Sequence, residues 1–266
     1  MSDPFHSSRY CIDHADRRIL ELIRTSNAFI QTHPCKANVE TDHKTSEQVL
    51  KIKLIKLMPI EIPGIVFDVL NNLRSALDHA GLATAKANGT KGRNAHFPFG
   101  KTRSEVLGRI KGNGRSRDIP ADIFAIMVKA KPYRRGNRYL WALNDMCNAN
   151  KHELIIPFAM GSPMVAFSFK GNSPRFSRRK KWDRLKNERE IARFDLGTKF
   201  RDHYSLATTI VFDKINVVEF KSVITVLERM LREVRKAFHS VEVEATKGGL
   251  FKRVRHYDKK VIPSKL

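Results

Sequence analysis

The stretch Asn71-Asn72-Leu73-Arg74-Ser75-Ala76-Leu77-Asp78-His79 gathers two amides, an arginine, a hydroxyl, a carboxylate and an imidazole. Flanking apolar residues predict a helix over about 63–88, closed at Gly89. Arginine offers a planar fork of donors that suits phosphate oxygens and stays charged. Histidine titrates near neutrality, so it can take a proton from a ribose 2′-hydroxyl or return one to a leaving oxygen. Arg74 and His79 are thus residue types that could bind a phosphate and move a proton, and a 2′-hydroxyl is what distinguishes RNA for such chemistry.

The same helix has a structural reading. Phe67, Leu70, Leu77 and Gly81 make an apolar face, and Arg74 falls inside it. Arg74 and Asp78, four residues apart, can pair along the helix. Asp68, Asn72, Ser75 and His79 form a second stripe at steps of four, three and four. A later helix, predicted over 138–152, carries Asn144, Asn148, Lys151 and His152 on one face and Leu140, Leu143 and Cys147 on another. The two polar stripes are expected to meet. Asn72, Ser75, Asp78, Asn144, Asn148, Lys151 and His152 would then surround Arg74 and His79. Such a cluster could support chemistry, or it could be a hydrogen-bonded core with no ligand.

"NLRSALDHA", "HFPFG" and "LNDMCNANKHELIIP", in that order, resemble a group of uncharacterised bacterial and phage-associated proteins, over about residues 60–160. That resemblance supplies no function. A looser one does. Arg74-x4-His79 is similar to the R-x4-6-H signature of HEPN domains, helical modules that often act as metal-independent ribonucleases. It implies that Arg74 holds phosphate, that His79 is the acid or base, and that a homodimer brings two such pairs together. Ser75 stands where that family usually has Asn, Asp or His. The hairpins predicted below also depart from a minimal HEPN bundle.

The chain has 266 residues and a formal charge of +23, which favours polyanionic partners, nucleic acid first. Its most basic stretch, "NSPRFSRRKKWDRLKNERE", reads as an exposed loop with a short helical piece after Lys181. Arg175, Arg178, Arg179, Lys180 and Lys181 could contact phosphates there, and Phe176 and Trp182 could stack on bases. Cys11, Cys35 and Cys147 are widely spaced, as expected of reduced thiols. No spacing matches a metal motif, and no cofactor-binding sequence occurs. The N-terminus lacks a signal-peptide apolar region and no run suits a membrane span, so a cytoplasmic protein is expected.

The remaining elements must position these residues. Periodicity predicts a helix over 8–31, a hairpin across 36–57 with a slip near Leu54–Ile55, and short helices at 102–111 and 120–130. "LIIPFAMG" and "PMVAFSFKG", split by Gly161-Ser162-Pro163, read as a hairpin. "IARFDLG" and "YSLATTIVFD" read as strands, and a long amphipathic helix follows from about Val217. The expected fold is α+β: central polar helices, long N- and C-terminal helices and antiparallel hairpins. It would form one domain over 1–249 with a loosely held basic tail, 250–266. A ribonuclease, a non-catalytic nucleic-acid-binding module and a structural protein all remain open.

Overall fold

The computed structural model describes residues 3–149, 158–177, 182, 183, 185–212, 218 and 221–251, with backbone alone for 149, 158–168 and 201–208. It is an α+β structure with long helices at both ends. Its helices are α1 (His6–Gln31), α2 (Glu61–Ala87), α3 (Arg103–Gly108), α4 (Ala121–Lys129), α5 (Arg138–Ala149) and α6 (Val223–Lys247). Its strands are β1 (Cys35–Asp42), β2 (Glu47–Leu54), β3 (Phe158–Lys170), β4 (Arg175–Phe176), β5 (Glu188–Asp195) and β6 (Lys199–Phe212).

The chain divides into two compact units. One comprises Met1–Glu21, Pro63–Ile155 and Ile224–Leu266, and the other Leu22–Ile62 and Ile156–Val223. No linker-like composition marks the division, because each unit is assembled from stretches distant in sequence.

The first unit is helical. From Phe5, just before α1, through Ser8, Cys11, Ile12, Ala15 and Ile19 within it, buried residues recur at the three-and-four spacing that buries one side of a helix. In α6 the same spacing buries Val226, Leu227, Met230, Leu231, Val234, Phe238 and Val241. The two helices meet through an edge-to-face contact of Phe5 and Phe238, centroids 5.6 Å apart. Arg235 donates to Asp16 at 2.7 Å, and Arg9 pairs with Glu242. Helix α2 ends where the Gly89 N–H bonds to the Lys86 carbonyl with φ at +80°, a conformation glycine adopts freely.

The second unit carries the strands. One antiparallel sheet has the order β1-β2-β5-β4, and β3 pairs with β6 in a two-stranded ladder. Ala37, Leu50, Ala192 and Phe194 form its core, with Phe169 and Phe200 packed against Phe194 at centroid distances of 5.5 and 4.8 Å. The β1–β2 hairpin lies where period-two alternation placed it. Its irregularity is not at Leu54–Ile55: it falls between Leu50 and Lys51, in the register with β5.

Gly161-Ser162-Pro163 is not a hairpin turn. It lies within the single strand β3, where the register with β6 shifts between Gly161 and Met164. A bulge tolerates a proline, which has no N–H to give the ladder, so turn-like residues sit inside a strand. The segment after Trp182 is also not helical where described. It forms a turn closed by the Asp183–Glu188 bridge, with Asn187 at positive φ.

Candidate functional site

Helix α2 has a buried arc and a polar one. Ile62, Val66, Val69, Leu70, Leu73, Ala76, Leu77 and Ala80 are all sealed from solvent. Asp68, Asn71, Asn72, Arg74, Ser75, Asp78 and His79 are all partly exposed. Arg74 therefore stands at the border of the apolar face and not inside it. That position lets its stem pack while its head stays near water.

The guanidinium of Arg74 has three partners from three parts of the first unit. Its Nε donates to Asp78 Oδ2 at 3.3 Å, one turn along the same helix. Its Nη1 donates to Asn144 Oδ1 on α5, so α2 meets α5 here through Arg74. Its Cζ lies 4.1 Å from the ring centroid of Phe99, a cation–π contact. About a fifth of the side chain, 21%, remains exposed.

Phe99 belongs to the "HFPFG" loop, which is fastened to α2 by Asp78. The Phe97 N–H donates to Asp78 Oδ1 at 2.8 Å, while His96 Nδ1 lies 3.5 Å from Oδ2. One carboxylate thus engages a guanidinium, an imidazole and a backbone amide. Burial pushes the Asp78 carboxyl up, but the His96 contact, the Arg74 charge and the Phe97 N–H together hold it below the usual Asp range.

The loop comes this close because α2 carries a glycine there. A Cβ on Gly81 would stand 2.1 Å from the Ala95 carbonyl oxygen. The other side of the loop is also tied. The His96 N–H donates to the Arg115 carbonyl at 2.9 Å, and the Ser116 hydroxyl donates to the His96 carbonyl at 2.7 Å. Phe97 and Phe99 are buried, 5.0 Å apart, whereas the His96 side chain is 48% exposed.

His79 lies elsewhere on α2. At about 100° per residue, five positions separate it from Arg74 by roughly 140° around the helix. Its Nδ1 is 3.7 Å from Cys11 Sγ on α1. Burial pushes the Cys11 thiol up and raises that of Cys35 to about 11, so both are held as neutral thiols. Cys147 is buried, and its thiol donates to the Leu70 carbonyl at 3.4 Å. All three cysteines are free.

The other expected supports separate. The Asn72 amide donates to the Asp68 carbonyl at 2.8 Å, a bond along its own helix. Ser75 is partly exposed on the α2 polar arc, and Asn148 is exposed on α5. Neither therefore joins the Arg74 cluster as a sealed network member. Lys151 and His152 lie outside the described residues.

In the basic stretch, Arg178, Arg179, Lys180 and Lys181 likewise lie outside them. Arg175 pairs with Glu47, and Phe176 is 57% exposed. Trp182 is only 6% exposed, so the expectation that it stacks on bases is corrected: its ring is packed inside the protein.

Sequence reasoning missed His96 and Phe99. Both stand in "HFPFG", a stretch legible as a short motif but with no helical spacing to connect it to Arg74. Among the described residues, no group of three or more His, Cys, Asp or Glu could hold a metal ion, and no helix is long and apolar enough to cross a membrane. No family model, curated protein or solved structure matches the chain.

Proposed function

We propose that the protein is a HEPN-like, metal-independent ribonuclease, with Arg74 holding the scissile phosphate and His79 moving a proton. The observation that carries this reading is the state of the Arg74 guanidinium. Asp78, Asn144 and Phe99 fix its plane, yet only two of an arginine's five N–H donors are engaged in those hydrogen bonds. A pre-oriented cation with donors to spare suits a phosphate oxygen and loses little rotamer freedom on binding it.

His79 is partly exposed, and with Nδ1 facing Cys11 its Nε2 is the ring atom left for a substrate. A partly exposed histidine can accept a 2′-hydroxyl proton and needs no metal to do so. The +23 charge would draw RNA to the surface and make the encounter sensitive to salt. The test is metal-free RNA cleavage by the purified protein that requires both Arg74 and His79.

A non-catalytic RNA-binding role is the second reading. Exposed Arg103, Lys111, Arg115 and Arg117 crowd the segments beside the "HFPFG" loop and favour phosphate contact without chemistry. On this reading His79→Ala binds RNA as the parent does, and neither protein cleaves it.

A further inference from the structure

Cleavage through a 2′-hydroxyl needs two proton transfers, and His79 accounts for one. The ribose oxygen must lose a proton, and the departing 5′-oxygen must gain one. Resting on the ribonuclease reading, we propose that His96 is the proton donor to the leaving 5′-oxygen, working beside Arg74 on a shared carboxylate.

The placement of three side chains carries this. Asp78 Oδ2 is 3.3 Å from Arg74 Nε and 3.5 Å from His96 Nδ1, so one oxygen ties the phosphate-binding cation to an imidazole. The contact is made by Nδ1, which leaves Nε2 as the ring atom for a substrate. Nearly half of the His96 side chain is exposed, more than for any of its partners in the cluster. The carboxylate orients the ring and balances its charge when it is protonated, as an acidic partner does for a working histidine.

The backbone holds the ring at this spot. The His96 main chain is held by one neighbouring segment, its N–H donating to the Arg115 carbonyl and its carbonyl accepting from the Ser116 hydroxyl, and its neighbour Phe97 is bonded to Asp78. None of these bonds uses the imidazole, so replacing it leaves them in place and removes only the contact with Asp78. Arg115 also brings a second, exposed cation to the adjoining segment.

The step balances. The 2′-oxygen attacks phosphorus as its proton passes to His79, and the bond from phosphorus to the 5′-oxygen breaks. The Nε2 proton of His96 goes to that 5′-oxygen. The products are a 2′,3′-cyclic phosphate and a 5′-hydroxyl, with His79 charged and His96 neutral until solvent resets them.

A substrate that needs no acid provides the test. RNA with sulfur in place of the bridging 5′-oxygen expels a thiolate, which leaves without a proton. Parent protein, His96→Ala and His79→Ala are compared on this substrate and on ordinary RNA, with melting temperatures taken in parallel. His96→Ala is expected to slow ordinary RNA about 100-fold or more, and to cleave the sulfur substrate within about fivefold of the parent. His79→Ala should be slow on both. Equal slowing of both substrates by His96→Ala, or none, overturns the role of His96 while the ribonuclease reading stands. If the parent cleaves neither substrate, both fall together. His96→Asn repeats the comparison with a polar side chain, should the alanine variant melt early.

Discussion

Asp78 and His96 meet across eighteen residues of chain, the Nδ1 of one 3.5 Å from the Oδ2 of the other, and Arg74 stands on the same oxygen. This carboxylate joins α2 to the "HFPFG" loop, while Arg74 carries the connection on to α5. The polar residues of α2 are thus tied to two other parts of the first unit, and the predictions below probe that arrangement.

Replacing Asp78 by Asn keeps the shape and removes the charge. Arg74 and His96 lose their common anion, and the Phe97 N–H keeps at best a neutral acceptor. A loss of about 1–3 kcal/mol is expected in chemical denaturation.

The pH dependence of stability follows from the lowered Asp78 carboxyl. A carboxyl whose folded value is depressed binds protons more weakly in the folded state than in the unfolded one. Its stabilisation is complete above the ordinary Asp value, about 3.9, and is lost as pH falls through the lower folded value. Parent and Asp78→Asn should therefore differ most near neutrality and converge in acid. Denaturation midpoints measured from pH 7 down to 2 check this.

Gly81→Ala should loosen the loop without touching a polar group. The added Cβ would lie 2.1 Å from the Ala95 oxygen, and that oxygen is backbone. A destabilisation of about 1–3 kcal/mol is expected, with faster amide exchange across 94–100 than in the parent.

Arg74→Lys separates charge from shape. Lysine keeps the cation but cannot reproduce the planar fork between Asp78 and Asn144, nor stack as well on Phe99. A loss of about 1–2 kcal/mol is expected in chemical denaturation, with no recovery of activity in an RNA cleavage assay.

The α2 and α5 helices, the first hairpin and the terminal helices were legible because their signals are local. Periodicity and a closing glycine suffice for them. The Arg74–Asp78 pair was equally legible from its four-residue spacing. What stayed hidden depends on distant partners: Asn144 lies seventy residues from Arg74, and nothing in "HFPFG" announces that His96 lands on Asp78. Gly161-Ser162-Pro163 misled for a related reason. Its residues favour a turn, but the ladder with β6 absorbs them as a bulge. Trp182 misled because the charges around it in sequence suggested exposure, and its own large apolar surface prevailed.

The central claim is tested most directly by incubating a mixed pool of single-stranded and structured RNA with the protein in EDTA, alongside His79→Ala of unchanged melting temperature. The account predicts metal-free cleavage by the parent that the variant loses. Cleavage retained by a folded His79→Ala, or none by either protein, would contradict it.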